Sequence, residues 1–121
     1  MNKEIPISEI KKCPRQYVVA IHDALNAMSG KWKLPIIATL LYGPSRFKDL
    51  QVNIDKITPR MLSKELKELE LNGVVQRKVY DTTPVKIEYQ LTESGQKIVS
   101  VLDAMLEWGI SHRQSVMAKK N

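Results

Sequence analysis

The stretch from Ile57 to Glu88 constrains this chain most, because it joins a helix with well-marked ends to a basic, alternating hairpin. Thr58 can accept a backbone N–H at the start of the helix, and Pro59 suits the first position, where a missing N–H costs little. Gly73 can take the left-handed conformation that ends a helix. The sequence therefore predicts a helix that begins after Thr58 and ends near Gly73.

The two faces of this helix differ in character. At about 100° per residue, Leu62, Leu66 and Leu69 form one apolar stripe. The opposite side is polar and cationic, and carries Arg60, Ser63, Lys64 and Lys67. The pattern predicts one face packed on a core and a second face that contacts a ligand. The alternative is an amphipathic helix whose outer charges are simply solvated.

The residues after Gly73 alternate in the manner of two strands. Positions 74–80 are rich in β-branched residues, positions 81–84 form a turn, and positions 85–91 alternate like a return strand. The order helix, glycine, strand, turn, strand is typical of the second half of a winged helix-turn-helix. In that motif the recognition helix enters the major groove of DNA and the hairpin, or wing, reaches along the backbone.

The preceding residues predict the first half of the same motif. Positions 31–42 indicate a helix, in which Pro35 is tolerable only within about the first turn. Gly43-Pro44 ends this helix, Ser45 is the expected cap of a short helix over residues 46–50, and positions 53–56 form the turn. The predicted fold class is α+β, mostly α, with a winged helix-turn-helix core over residues 31–91.

The sequence predicts one domain of 121 residues. The helices expected on both sides of its winged core are predicted to form a dimer interface. Residues 1–12 are expected to be an arm without a stable helix, and residues 13–28 a helix. The last helix, capped by Thr92 or Ser94, is expected to run over residues 92–113, before a frayed tail from Ser115. The residues expected between two copies are Val18, Ile21, Leu25, Ile98, Val101, Leu102, Met105, Leu106 and Trp108. The alternative is that the last helix packs wholly on its own domain.

Charge supports a polyanionic partner. The net charge is +6, and residues 31–91 hold eleven Lys and Arg against seven acids, an excess of four where the DNA-binding motif is predicted. The sequence has no apolar run of about 18 residues, so it predicts no membrane span. The first residues lack the apolar segment of a signal peptide. A single cysteine excludes an intrachain disulfide. We expect a cytoplasmic protein without a membrane partner.

Several short motifs, in order, resemble those of one family. They are Cys13-Pro14, Gly30-Lys31-Trp32-Lys33, residues 43–47, residues 57–62, residues 66–69, residues 89–95 and Trp108-Gly109. Together they resemble the HxlR-type transcriptional regulators, relatives of the MarR-type winged-helix proteins. The resemblance implies a bacterial or archaeal homodimer on a pseudo-palindromic operator in double-stranded DNA.

The sequence leaves two hypotheses open for Cys13. In the first it is a small buried hydrophobic residue. In the second it senses oxidants or small electrophiles, because the resemblance matches it to a cysteine through which some family members respond. Neighbouring Lys11, Lys12 and Arg15 favour the thiolate form. Since this chain lacks the second cysteine of some redox-sensing members, an intersubunit disulfide or thiol modification is the expected chemistry.

The DNA contacts are expected in three groups. Arg60 is the candidate for a base contact, since it lies in the first turn of the recognition helix. The other residues expected at that helix are Thr58, Pro59, Ser63, Lys64 and Lys67, with Lys67 on phosphate. Lys78 and Lys86 are candidate backbone contacts of the wing, and Arg77 is a weaker one because alternation turns it to the other face. Residues from the first half of the motif expected on the opposite phosphate strand are Ser45, Arg46 and Lys48.

Rival functions find little support in the sequence. A Cys/His nucleophile pair would need Cys13 near His22 or His112, and no phosphate loop, nucleophile elbow or metal-ligand spacing is present. We therefore expect no catalytic residues, no metal site and no cofactor. The alternative function is a winged helix that binds a protein partner, or double-stranded nucleic acid non-specifically.

Overall fold

The computed structural model describes residues 6–119, which form seven helices and a two-stranded sheet. The elements, in chain order, are α1 (Ile7–Lys12), α2 (Pro14–Met28), α3 (Lys33–Leu40), α4 (Phe47–Asn53), α5 (Pro59–Leu71), β1 (Val75–Tyr80), β2 (Lys86–Leu91), α6 (Glu93–Gln96) and α7 (Ile98–Lys119). The predicted winged helix-turn-helix is confirmed: α3, α4 and α5 precede the β1–β2 hairpin. None of the helices in this part of the chain is both long and apolar enough to cross a membrane.

The wing is antiparallel and is extended by one short bridge. Val75 lies opposite Leu91 at the base of the hairpin, and Tyr80 opposite Lys86 near its tip. Ser45 pairs with Tyr89 through two backbone hydrogen bonds, of 2.9 and 2.8 Å. The prediction that Ser45 caps the short helix is therefore wrong: the cap position of α4 is Arg46, and no side chain accepts a hydrogen bond there.

The hydrophobic core lies between α3, α4, α5 and the wing. Its buried apolar residues are Met28, Ile36, Ile37, Leu40, Leu50, Ile54, Ile57, Leu62, Leu66, Leu69, Val74, Val75 and Leu91. All three leucines of the predicted stripe on α5 are buried. The stripe thus fixes which face of α5 is turned outward.

Both ends of α5 follow the local signals in the sequence. Thr58 accepts a hydrogen bond at its side-chain oxygen from the N–H of Met61 (3.2 Å). At the other end Gly73 adopts φ +73°, and its N–H donates to the carbonyl of Glu70 (3.0 Å). The N–H of Val74 donates to the carbonyl of Leu69 (3.0 Å), which completes a left-handed helix ending. The predicted cap and stop are confirmed.

The chain ends correct two predictions. Residues 7–12, expected to be part of an arm, form α1, with Glu9 in the first turn and Lys11 and Lys12 in the last, where each charge complements the helix dipole. Residues 1–5 of the arm lie outside the described residues. The last helix breaks at Lys97 and then continues to Lys119, so a frayed tail from Ser115 is wrong for residues 115–119. No proline or glycine follows Gly109 to stop this helix.

A close backbone approach joins the wing to α6. Thr92, one of the two predicted caps, accepts the N–H of Gly95 (3.0 Å), and its hydroxyl donates to the carbonyl of Gly73 (2.5 Å). A Cβ on Gly95 would lie 2.2 Å from the carbonyl oxygen of Val74, so only glycine fits. The chain leaving the wing is thereby held against the end of α5.

Candidate nucleic-acid interface

The outward face of α5 is an exposed cationic surface. Arg60, Lys64 and Lys67 are all exposed, with Ser63 beside them. None of the three cations forms a salt bridge with another residue in the range 6–119. Thr58 and Pro59, at the N-terminal end of the helix, are also exposed. Because the apolar stripe of α5 is buried and these cations are unpaired, the cations can contact phosphates or base edges.

One flank of α5 is tied to α3 by an ion-pair cluster that sequence reasoning missed. The Lys33 ammonium lies 2.9 Å from the Glu65 carboxylate and 2.6 Å from that of Glu68. Lys33 is only 7% exposed and is the buried charged residue of the described chain. Its partners are 32 and 35 residues away. The available signal was a lysine at the start of a mostly apolar helix, together with two glutamates three positions apart on α5.

The cluster holds both kinds of group in their charged forms. Burial lowers the pKa of Lys33, but hydrogen bonds to Glu68 and Glu65, and their negative charges, outweigh it and leave the pKa raised. The pKa of Glu68 is lowered, mainly by the hydrogen bond and charge of Lys33, with a smaller contribution from Lys64. A buried ammonium is tolerable here because two carboxylates neutralise it.

The outer face of the wing carries two of the predicted DNA contacts around one aromatic ring. The ammonium groups of Lys78 and Lys86 lie 5.2 and 5.1 Å from the centroid of the Tyr80 ring. Lys86 is also 3.6 Å from the carboxylate of Glu88. Lys78 is therefore the freer of the two cations.

Arg77 lies on the other face of the hairpin, as alternation predicts, but this face turns toward α5. A recess of about 250 Å³ between α5 and the wing is lined by Ser63, Leu66, Lys67, Glu70, Arg77 and Tyr89. Burial raises the pKa of Tyr89, as does the nearby Glu70, whereas Arg77 opposes this. The structure thus brings Arg77 together with Ser63 and Lys67 of the cationic face.

The three residues predicted in the first half of the motif differ in exposure. Arg46 and Lys48 are exposed at the start of α4. Ser45 is half-buried, its backbone is occupied by Tyr89, and its hydroxyl donates to the carbonyl of Gly43 (3.4 Å). Two cations at this end of the motif are therefore available to a phosphate strand.

Most of the residues predicted at a dimer interface are exposed. The exposed members are Val18, Ile21, Leu25, Val101, Met105, Leu106 and Trp108. The other two, Ile98 and Leu102, are half-buried against the core of their own chain. An open groove on α7 is lined by Ser100, Val101, Ala104, Met105, Trp108 and Gly109. The flanking helices thus present apolar surface that the rest of residues 6–119 does not cover.

Cys13 sits where α1 meets α2. It is a free, half-buried thiol at the cap position of α2. A groove of about 520 Å³ passes over it and is lined by Ile10, Cys13, Arg15, Gln16, Val19, Ala20 and Asp23. A mixed apolar and charged groove of this size can admit a small molecule. Within residues 6–119 no group of three or more His, Cys, Asp or Glu side chains could hold a metal ion.

Known proteins resemble this arrangement in sequence and in structure. The model of the HxlR-like helix-turn-helix family matches residues 27–117. An HTH-type transcriptional regulator of Methanothermobacter thermautotrophicus is 43% identical over 94 residues, which are 78% of this chain and 72% of that protein. A MarR-family transcriptional regulator from Enterococcus faecalis V583 superposes with a TM-score of 0.78 at 33% identity, over 84% of this chain and 92% of that one.

A third relative has been solved in several forms. The reduced transcriptional regulator YodB of Bacillus subtilis superposes with a TM-score of 0.69 at 38% identity, over 79% of this chain and 89% of that one. YodB has also been solved after diamide treatment and with quinone bound. The family match covers most of the chain and includes every element of the wing and of the helix-turn-helix. This chain therefore belongs to the HxlR family of helix-turn-helix transcriptional regulators, with a MarR-like winged-helix fold.

Proposed function

We propose that this protein regulates transcription as a homodimer that binds a pseudo-palindromic operator in double-stranded DNA with sequence specificity. The observation that carries the proposal is the outward face of α5, on which Arg60, Lys64 and Lys67 are exposed and unpaired within the described chain. Such a helix fits the major groove, where cations contact phosphates and an arginine can pair with guanine.

Each cation has a proposed role. Arg60, in the first turn of α5, reads a base, while Lys64 and Lys67 lie further along the groove, with Lys67 on a phosphate. The recess between α5 and the wing supports a phosphate contact shared by Lys67 and Arg77. Lys78 contacts the backbone from the outer face of the wing. Phosphate contacts set the register of the protein, and base contacts carry the specificity.

Two copies are proposed to pair through the flanking helices. The exposed apolar residues of α2 and α7 support this, since contiguous apolar surface on a helix commonly marks an interface. A two-fold dimer places two recognition helices about one turn of DNA apart, which matches an inverted-repeat operator.

Cys13 is proposed to make binding responsive to electrophiles or oxidants. Its partial exposure and the groove above it support access by a small molecule, and YodB, a relative, has been solved with quinone bound. Modification of the thiol at the junction of α1 and α2 would alter the proposed dimer surface next to it.

Selection from sheared genomic DNA tests the whole proposal. Fragments retained by the protein are sequenced, with and without a quinone, and with Cys13→Ser as the control. We expect enrichment of an inverted repeat that the quinone abolishes for the wild type only. Retention without enrichment would contradict sequence specificity, and no retention would favour the protein-partner alternative. Equal quinone effects on both proteins would remove Cys13 as the sensor.

A panel of operator variants tests the separate roles of the cations. Arg60→Ala should flatten the preference for one base pair, which corresponds to about 1–3 kcal/mol of discrimination. Lys78→Ala and Lys86→Ala should weaken binding to all sequences alike and reduce the salt dependence by about 0.9 in log–log slope per contact. An equal loss across the panel for Arg60→Ala would exclude it as a specificity residue.

A further inference from the structure

The recognition helix has no net charge of its own. Its side chains include three cations and three carboxylates, which are Arg60, Lys64, Lys67, Glu65, Glu68 and Glu70. Three negative charges on a helix that approaches phosphates would oppose binding, since charges within about 10 Å interact appreciably at ordinary ionic strength. Where the carboxylates lie, and what neutralises them, therefore decides whether the cationic face is effective.

The carboxylates lie on the two flanks of α5, away from its outward face. Glu70 is on the flank turned toward the wing, in the recess that also contains Arg77. Glu65 and Glu68 are on the flank turned toward α3, where both accept hydrogen bonds from the Lys33 ammonium, at 2.9 and 2.6 Å. Lys33 reaches them from the buried side of the helix.

We propose that Lys33 is a positioning residue for DNA binding, which draws Glu65 and Glu68 toward α3 and neutralises them so that they do not oppose the phosphates. This inference rests on the proposed DNA-binding function. Lys33 is 7% exposed and cannot itself reach DNA. Through the two glutamates, Lys33 affects the orientation of α5 and the electrostatic field around it.

A purely structural role for Lys33 would leave a different signature. If Lys33 only anchored α3 to α5, its removal would lower stability, and any loss of DNA affinity would be the same at all salt concentrations. If it compensates charge, its removal exposes phosphates to two unneutralised carboxylates. That repulsion is screened by salt, because the screening length falls from about 30 Å at 0.01 M to about 10 Å at 0.1 M.

The test compares Lys33→Met with Lys31→Met as a matched control. Both remove one positive charge from the same short segment, but Lys31 is exposed and forms no salt bridge within the described residues. Affinity for the selected operator is measured at about 50 and 200 mM salt, after thermal unfolding has established that each variant is folded. If Lys33→Met does not fold, Lys33→Gln replaces it, since the amide can still donate to a carboxylate.

We expect Lys33→Met to weaken binding by about tenfold at the lower salt concentration, with a smaller difference at the higher one, and Lys31→Met to weaken it less than about threefold. Lys33→Arg should retain most of the affinity. Adding Glu65→Gln and Glu68→Gln to Lys33→Met should restore it, because the unneutralised charges are then absent. A deficit that shrinks as salt rises, and is removed by this rescue, is the result that a merely structural role would not produce.

Two outcomes would overturn the inference while leaving the proposed function intact. In one, the wild type binds the operator and Lys33→Met behaves like Lys31→Met. In the other, Lys33→Met binds weakly, the two glutamine substitutions fail to rescue it, and the deficit does not change with salt. If the wild type itself binds no duplex DNA, the proposed function fails instead.

Discussion

The winged helix-turn-helix core and the flanking helices differ in how far their apolar residues are buried. Residues 33–91 bury nearly all the apolar side chains that are fully buried in the described chain. In contrast, α2 buries only Met28, and the 22 residues of α7 include none that is buried. Residues 6–119 of one copy therefore complete one hydrophobic core and leave a second apolar surface uncovered.

The recognition helix α5 and the flanking helix α2 also differ in their local start and stop signals. Within the core, α5 has a side-chain cap at its start and a left-handed glycine at its end. The cap position of α2 is Cys13, and no side chain accepts a hydrogen bond there. Because helices in proteins gain most of their stability from the packing of an apolar face, we expect α2 and α7 to depend on packing as well. This dependence is consistent with the second copy proposed above.

The largest expected effect comes from removing a core side chain on α5. Leu66→Ala should lower the free energy of unfolding by about 2–5 kcal/mol, through lost burial and the cavity that remains. Leu71→Ala, on the same helix but 79% exposed, is the control and should change it by less than about 0.5 kcal/mol. Chemical denaturation measures both, and equal losses would contradict the assigned core face.

A charge introduced on α7 should weaken dimerisation and leave the hydrophobic core intact. Met105→Asp places a carboxylate in the middle of the apolar groove of α7, and should weaken dimerisation by about 100-fold, as for a central interface residue. Ser111→Asp adds the same charge to an exposed polar position of the same helix and should have little effect. Sedimentation over a range of protein concentrations measures the dissociation constant.

Circular dichroism at a protein concentration high enough to populate the weakened dimer should show that both aspartate variants keep the helical content of the wild type, since α7 contributes no fully buried side chain to the core. If Met105→Asp leaves the sedimentation behaviour unchanged, α7 is not the dimer surface. If it unfolds the protein, the two regions are less independent than the burial pattern indicates.

The parts that could be predicted from the sequence are those encoded by near neighbours. The start and end of α5 follow from Thr58, Pro59 and Gly73, and its buried face follows from the spacing of three leucines. The hairpin follows from alternation around a turn. Each of these signals relates residues that are only a few positions apart in the sequence, so it can be recognised without knowledge of the rest of the fold.

The features that the sequence did not predict depend on partners distant in the sequence, or on helix ends with weak local signals. Ser45 was expected to cap α4, but it pairs with Tyr89, 44 positions later, which no local pattern indicates. Lys33 reaches glutamates more than 30 positions away for the same reason. The helix over residues 7–12 and the extension of α7 to Lys119 were missed because charge and helix propensity decide them by small margins. The roles of the cations on α5 and the wing remain predictions.

The smallest expected effect compares the starts of α5 and α2. Thr58→Ala removes the side chain that accepts the N–H of Met61 and should cost about 1 kcal/mol of unfolding free energy, whereas Thr58→Ser keeps the acceptor and should cost much less. Cys13→Ala, at the cap position of α2, removes no such hydrogen bond and should cost less than Thr58→Ala. Denaturant titrations of the wild type and the three variants, at one protein concentration, measure the differences in unfolding free energy. An equal cost at both positions would mean that the start of α2 is stabilised by contacts of Cys13 that capping does not describe, and that the flanking helix is specified locally as firmly as the recognition helix.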